Sequence, residues 1–183
     1  MIDKQNRTFC AYHFIGTIGA LLMLMIPLLL SKSLIFFINT PIIIWTYGLT
    51  SFLLLSAFRK DFLRFIPEAI LSLFFVPNKP NPRFAEIAKL GSRYVIGVGV
   101  IFYIIELILM LTGLEDPSQI GVGIALGLLT IFYALIASEL FFISTYNLFS
   151  DGKADNKPLM YENLLVIILC LVIAFIVAFV LWC

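Results

Sequence analysis

Two glutamates and one threonine lie inside long apolar stretches of this sequence, where polar side chains are unusual and could do chemistry. Glu106 lies well inside the apolar stretch 94–114. A carboxylate within a membrane must be paired, protonated or hydrated, and such residues are often functional. One interpretation is a group that handles protons or cations, and Tyr103 shares its helix face because the two are three residues apart. The alternative is a carboxylate that hydrogen-bonds to a neighbouring helix or extends to the membrane surface.

A stripe of small and polar residues follows in the next apolar stretch. It consists of Gly123, Gly127, Thr130, Ala134 and Ser138, at steps of three and four that share one helix face. Such a stripe predicts close packing against another helix or a narrow path for ions. The hydroxyl of Thr130 could also bond to a carbonyl of its own helix. The prediction of close packing or an ion path at Thr130 therefore depends on the small residues one turn away, Gly127 and Ala134.

Glu139 lies further along the same stretch. On an α-helix it would point away from the stripe of small residues, because it is about half a turn out of phase with Thr130. We expect it near the cytoplasmic headgroups as an interfacial acid, with a basic partner such as Arg59 or Arg93.

The composition places the whole chain in a membrane. Of its 183 residues 62% are hydrophobic and only 13% are charged, and the mean hydropathy is +1.08, whereas a soluble domain carries roughly a quarter charged residues. The net charge of +1 indicates no nucleic-acid partner. Three scattered cysteines and one histidine predict neither a metal site nor a disulfide framework. No arrangement of a nucleophile with a histidine and no phosphate-binding loop occurs, so we predict no enzyme, no catalytic residue and no cofactor.

Five apolar segments are long enough to cross a bilayer. They are 9–30, 34–58, 94–114, 120–149 and 164–182. The fourth belongs to a predicted uninterrupted helix over 115–149. In the second, Gly48 and Thr50 are predicted helix-packing residues, since small and hydroxyl side chains favour contact between membrane helices.

The basic residues predict the orientation of these segments. Seven of the twelve Lys and Arg residues lie in 59–93, which the positive-inside rule places in the cytoplasm. The N-terminus is then cytoplasmic and the C-terminus outside. We divide the chain into two first spans (1–58), a cytoplasmic amphipathic segment with a proline-rich linker (59–93), a core of two spans (94–149), and a short loop with a fifth span (150–183). Within the second part, helical spacing of apolar residues over 59–76 predicts a helix lying at the membrane surface.

Two sequence motifs, one in the second and one at the start of the fourth apolar segment, resemble the MotA/TolQ/ExbB superfamily, and most closely a short MotA-like stator subunit. The first is FINTPIIIWTYGLT at 37–50, similar to the second span of MotA subunits. The second is DPSQIGVGIALGLLTIFY at 116–133, similar to the acidic-Pro turn and fourth span of that family. The resemblance covers the first four spans in the family's order. It implies an all-α integral membrane protein with a four-span MotA-like unit, to which this chain adds a fifth C-terminal helix.

The resemblance also implies partners and a function. In this family a homopentameric ring surrounds a dimer of separate single-span partners, each of which carries an Asp within the membrane. The third and fourth spans line a path for H⁺ or Na⁺ across the bacterial inner membrane. Accordingly, Thr130 would line the path and Glu106 would tune ion entry from outside. Gly123, Gly127 and Ala134 would allow close contact.

Several features depart from the family pattern. Ile131 stands where the family has a second Thr, and Val95 stands about where it has a Pro. The large cytoplasmic domain of the family is reduced to the 35 residues of 59–93. The predicted function is a ring-forming subunit of a proton- or sodium-driven stator or energiser. The alternatives are a non-conducting MotA-like membrane scaffold that has lost the ion path and, less favoured, a small channel or transporter acting alone.

Overall fold

The computed structural model describes residues 38–72, 75–77, 80–112 and 118–150, with short pieces at 7–8, 15–26 (in part), 168 and 172. Three helices in this part are long and apolar enough to cross a membrane, namely Thr40–Phe58, Pro82–Thr112 and Gly121–Phe149. The protein is therefore helical and membrane-embedded. The predicted first span (9–30) and fifth span (164–182) lie largely outside the described residues. In the described part the strands are Arg7–Thr8 (β1) and Val76–Pro77 (β2), which pair antiparallel.

Helix α1 covers Thr40–Phe58. Its start is fixed by Asn39, whose side-chain oxygen accepts a hydrogen bond from the backbone N–H of Ile42 at 3.4 Å. Pro41 in the first turn suits a position where no helical N–H bond is needed. The helix ends at Arg59, whose φ of +49° lies in the left-handed region and lets the chain change direction.

Helix α2 covers Lys60–Ser72 and packs at one end of the bundle. The ring of Phe65 meets Phe84 edge-on with centroids 5.9 Å apart, and Phe84 meets Phe149 in the same way at 5.5 Å. Phe62 stacks beside Phe65. This aromatic cluster joins α2 to the beginning of the next helix and to the end of the last one.

Helix α3 covers Pro82–Thr112, which is 31 residues or about 46 Å. Asn81 begins it, because its side-chain oxygen accepts from the backbone N–H groups of Arg83 and Phe84 at 3.2 and 3.4 Å. The helix runs without a break through residue 93, where the sequence analysis divided the linker from the membrane core.

The last long helix is not one uninterrupted α-helix, so the sequence expectation for 115–149 was wrong in this respect. It consists of α4 (Ser118–Ile136), a π-helical segment over Ala137–Ile143, and α5 (Ser144–Phe149). Residues 113–117 lie outside the described part.

The π segment has a geometric reason. Thr130, Ala134, Ser138 and Phe142 are four residues apart and all buried. In an α-helix of 3.6 residues per turn, side chains four positions apart move progressively around the helix axis. A π turn contains more residues than an α turn, so it rotates the following side chains back and keeps this repeat facing α3.

Candidate functional site

The contact surface between α3 and the last long helix, here called the α3–α4 seam, runs from Ser92 and Ser138 to Met110 and Gly123 and brings together most of the residues singled out from the sequence. Several of its contacts join a glycine to a side chain of the other helix. A Cβ atom on Gly99 would lie 2.5 Å from the Cβ of Ala134, and one on Gly127 would lie 2.8 Å from Cδ2 of Tyr103. Neither space admits a larger residue without a shift. The helices approach this closely because glycine occupies these positions.

The same pattern continues to the far end of the seam. A Cβ on Gly123 would lie 2.7 Å from Cγ of Met110. Residue numbers therefore rise along α3 as they fall along α4, which makes the two helices antiparallel. All of these contacts are formed within one chain.

Glu106 lies on this seam beside Gly127. Its Cβ is 3.8 Å from the position that a Cβ of Gly127 would take, one turn from the buried ring of Tyr103. Glu106 is half-buried, and its exposed neighbours Ile105 and Leu109 are apolar. Within the described residues its carboxylate has no hydrogen-bond or ion-pair partner. An acid in this setting is costly in its charged form.

Thr130 is fully buried. Its hydroxyl donates to the backbone oxygen of Leu126 at 3.1 Å, and its own backbone oxygen lies 3.8 Å from the Cβ position of Gly99. In a single chain Thr130 thus faces α3, and another helix could reach its side chain only if the seam opened. Ile131, next to it, is also buried and packs with Tyr103.

The opposite end of the seam carries a polar contact that the sequence analysis missed. The hydroxyls of Ser92 and Ser138 are 2.7 Å apart and both side chains are fully buried. Gly91 beside them lies directly against the ring of Phe142. Ser92 was assigned to the cytoplasmic segment, although its spacing of seven residues from Gly99 would have placed both on one helix face.

Glu139 is half-buried in the π segment, next to Ser138. Its orientation cannot be taken from α-helical spacing, because the π segment begins two residues before it. Arg59, one of its two expected partners, is exposed and makes no ion pair with a described residue.

Helix α1 is attached to α4 by two hydrogen bonds to Tyr133. The backbone N–H of Asn39 donates to the hydroxyl of Tyr133 at 3.0 Å, and the hydroxyl of Tyr47 donates to its backbone oxygen at 3.1 Å. Ile42 and Leu129 pack beside them. The sequence pattern predicts none of these contacts, although Asn39 lies in the motif at 37–50 and Tyr133 in the motif at 116–133.

Two of the four buried residues of α1 carry a hydroxyl, and the other two are Ile42 and Leu54. Thr46 and Thr50 are buried, and the Thr50 hydroxyl donates to the backbone oxygen of Thr46 at 2.7 Å. Gly48 was expected to be a packing residue as well, but a Cβ there would meet no atom within 4 Å in the chain. Gly48 therefore makes no close helix contact within the described residues.

The described residues contain no group of three or more His, Cys, Asp or Glu side chains that could hold a metal ion. No protein-family model matches this chain, and no curated protein is similar to it in sequence. The features on which a function can be argued are therefore the glycine contacts of the α3–α4 seam and the half-buried carboxylate beside them.

Proposed function

We propose that the protein is a ring-forming subunit of a proton- or sodium-driven stator or energiser in a bacterial inner membrane. In this proposal it has five spans, with the N-terminus in the cytoplasm and the C-terminus outside. It forms a homopentamer around a separate single-span partner that carries an Asp within the membrane. The MotA-like motifs at 37–50 and 116–133 support this assignment.

The half-buried carboxylate of Glu106 carries the proposal. It lies among apolar side chains and has no polar partner in the described part of the chain, so a bound proton or cation would stabilise it. Gly127 leaves room beside it, and Thr130 lies one turn further along α4. Glu106 would take up the ion at one end of the seam, and the partner Asp would receive it.

The exposed surface of α3 fits either lipid or a neighbouring subunit. Ile101, Ile104, Ile105 and Ile108 are all exposed in the single chain. Such an apolar surface requires cover by acyl chains or by other helices. Ring formation would bury part of it and bring the Glu106 side chains of several subunits around one axis.

The direct test is ion flux into liposomes that contain the chain and a co-expressed single-span protein encoded next to it. We expect Glu106→Gln to reduce flux by roughly tenfold or more, since the substitution removes the group that binds the ion. Glu86→Gln is the matched control, because Glu86 is an exposed acid in the first turns of the same helix. Unchanged flux in the combined Glu106→Gln and Thr130→Val variant would rule out ion uptake at Glu106 and a path along Thr130.

A non-conducting scaffold is the second candidate function. The burial of Thr130 and Ile131 against α3, with the Thr130 hydroxyl already bonded to Leu126, favours it. A scaffold would form the same ring without flux. The mass of the complex in detergent, measured alongside flux, separates the two, and a monomer would contradict both.

A further inference from the structure

Helix α2 presents three chemically different faces. The face that packs on the protein consists of Phe62, Phe65, Ala69 and Ser72, all buried. Through the ring contacts of Phe65 with Phe84, this face attaches α2 to the end of the helix bundle. A helix fixed at the end of membrane-spanning helices lies at the membrane surface.

The second face is apolar but exposed. Leu63, Ile66 and Ile70 recur at steps of three and four, so they lie together on the helix, with exposed fractions of 59%, 37% and 50%. Apolar side chains are also exposed on α1, which the turn at Arg59 joins to α2, and Phe52 there is 71% exposed.

The third face is basic. Lys60 and Arg64 are one turn apart and both exposed, and Arg59 precedes them directly. None of the three makes an ion pair with a described residue. Two acids lie on the same helix. Asp61 is paired with Arg83 at 3.2 Å, and Glu68, one turn after Arg64, has an interaction of its own.

We propose that α2 binds anionic phospholipid headgroups through Arg59, Lys60 and Arg64 while Leu63, Ile66 and Ile70 enter the acyl-chain region. A basic face beside an apolar face is the arrangement that holds a helix in the plane of an anionic membrane surface. An exposed basic face beside an exposed apolar face complements an anionic headgroup above acyl chains, which favours a lipid over a soluble protein as the occupant. This inference does not depend on ion conduction.

The test places a tryptophan on the apolar face and measures its quenching by brominated lipids. Leu63→Trp is made in a full chain carrying Trp45→Phe and Trp182→Phe, which removes both native tryptophans. The protein is reconstituted into mixed phosphatidylcholine and phosphatidylglycerol vesicles in which one or the other lipid is brominated. We expect quenching by the phosphatidylglycerol to exceed that by phosphatidylcholine roughly threefold.

Charge variants then assign the preference to the basic face. Lys60→Gln with Arg64→Gln should lower the ratio of the two quenching constants by about half or more, since Arg59 alone is left, while quenching itself remains. The matched control removes two charges elsewhere, with Lys153→Gln and Lys157→Gln, and should keep the ratio. A ratio that survives the first pair, or that equals one in the unaltered chain, would overturn the headgroup assignment. Absence of quenching by either lipid would show that protein covers this face, and it too would overturn the proposal.

Discussion

The two ends of the α3–α4 seam are built differently. At the Met110 end, glycines lie against large side chains, and the polar group nearby is the half-buried Glu106. At the Ser92 end, two buried hydroxyls contact each other beside the π segment. The first arrangement is held by shape alone and the second by shape together with a hydrogen bond.

This difference shows how one helix pair can combine closeness with a defined register. Glycine contacts permit close approach, but they select the register only through steric fit. The contact between Ser92 and Ser138 adds a directional constraint, because either hydroxyl loses a partner if the helices slide. The π segment is what keeps Ser138 and Phe142 on the face toward α3.

The largest effect should come from filling the glycine contact whose neighbour, the Cβ of Ala134, cannot rotate away. We expect Gly99→Val to lower the free energy of unfolding by about 2–3 kcal/mol, because its Cβ would meet Ala134 and neither backbone can move away cheaply. Gly97→Val is the matched control two residues away, since a Cβ there would meet no atom within 4 Å. Reversible unfolding in mixed detergent micelles measures both, and equal losses would show that the seam is not closely packed at Gly99.

A smaller effect is expected at the Ser92 end, where the obstacle is a side chain that can be shortened. Gly91→Ala should be destabilising because its Cβ would meet the ring of Phe142. Combined with Phe142→Leu, it should cost less than the sum of the two single changes, with a coupling of about 1 kcal/mol. The same unfolding assay completes the double-mutant cycle. Strict additivity would mean that these two side chains do not share one space.

The smallest effect should follow from removing the hydroxyl pair. Ser92→Ala should lower the free energy of unfolding by about 1 kcal/mol, since Ser138 loses this contact. Adding Ser138→Ala should cost less than a second full loss, because the contact between the two hydroxyls is already absent from the single variant. Ser56→Ala on the exposed side of α1 serves as the control. A loss at Ser56 as large as at Ser92 would contradict a special role for the pair.

Sequence pattern predicted the membrane class and placed the stripe from Gly123 to Ser138 on one helix face. It also placed Tyr103 and Glu106 together, and both lie against Gly127. These inferences depend on apolar content and helical spacing, which act locally. The partner across each contact depends on tertiary packing, so the sequence could not assign Ser92 to Ser138.

Two further differences between the predicted and the observed structure have a physical cause. The π segment does not follow from the sequence, because apolar spacing predicts an α-helix by default and π turns are rare interruptions within α-helices. Gly48 was expected to pack together with Thr50. The structure buries Thr50 and leaves Gly48 half-buried. The Thr50 hydroxyl donates to the backbone oxygen of Thr46, and a hydroxyl bonded to its own helix packs as readily as a small residue.

The unbroken length of α3 has a geometric consequence. The helix extends from Phe84, in the aromatic cluster with α2, to Glu106, a distance of about 33 Å along its axis. The helix that packs against it changes type over Ala137–Ile143, where it is π-helical. A single α-helix keeps one rise per residue over its whole length, so the spacing between Phe84 and Glu106 is fixed by α3 alone. The residues facing them, Phe149 and Gly127, lie on opposite sides of the π segment, so the distance between those two combines segments of different pitch.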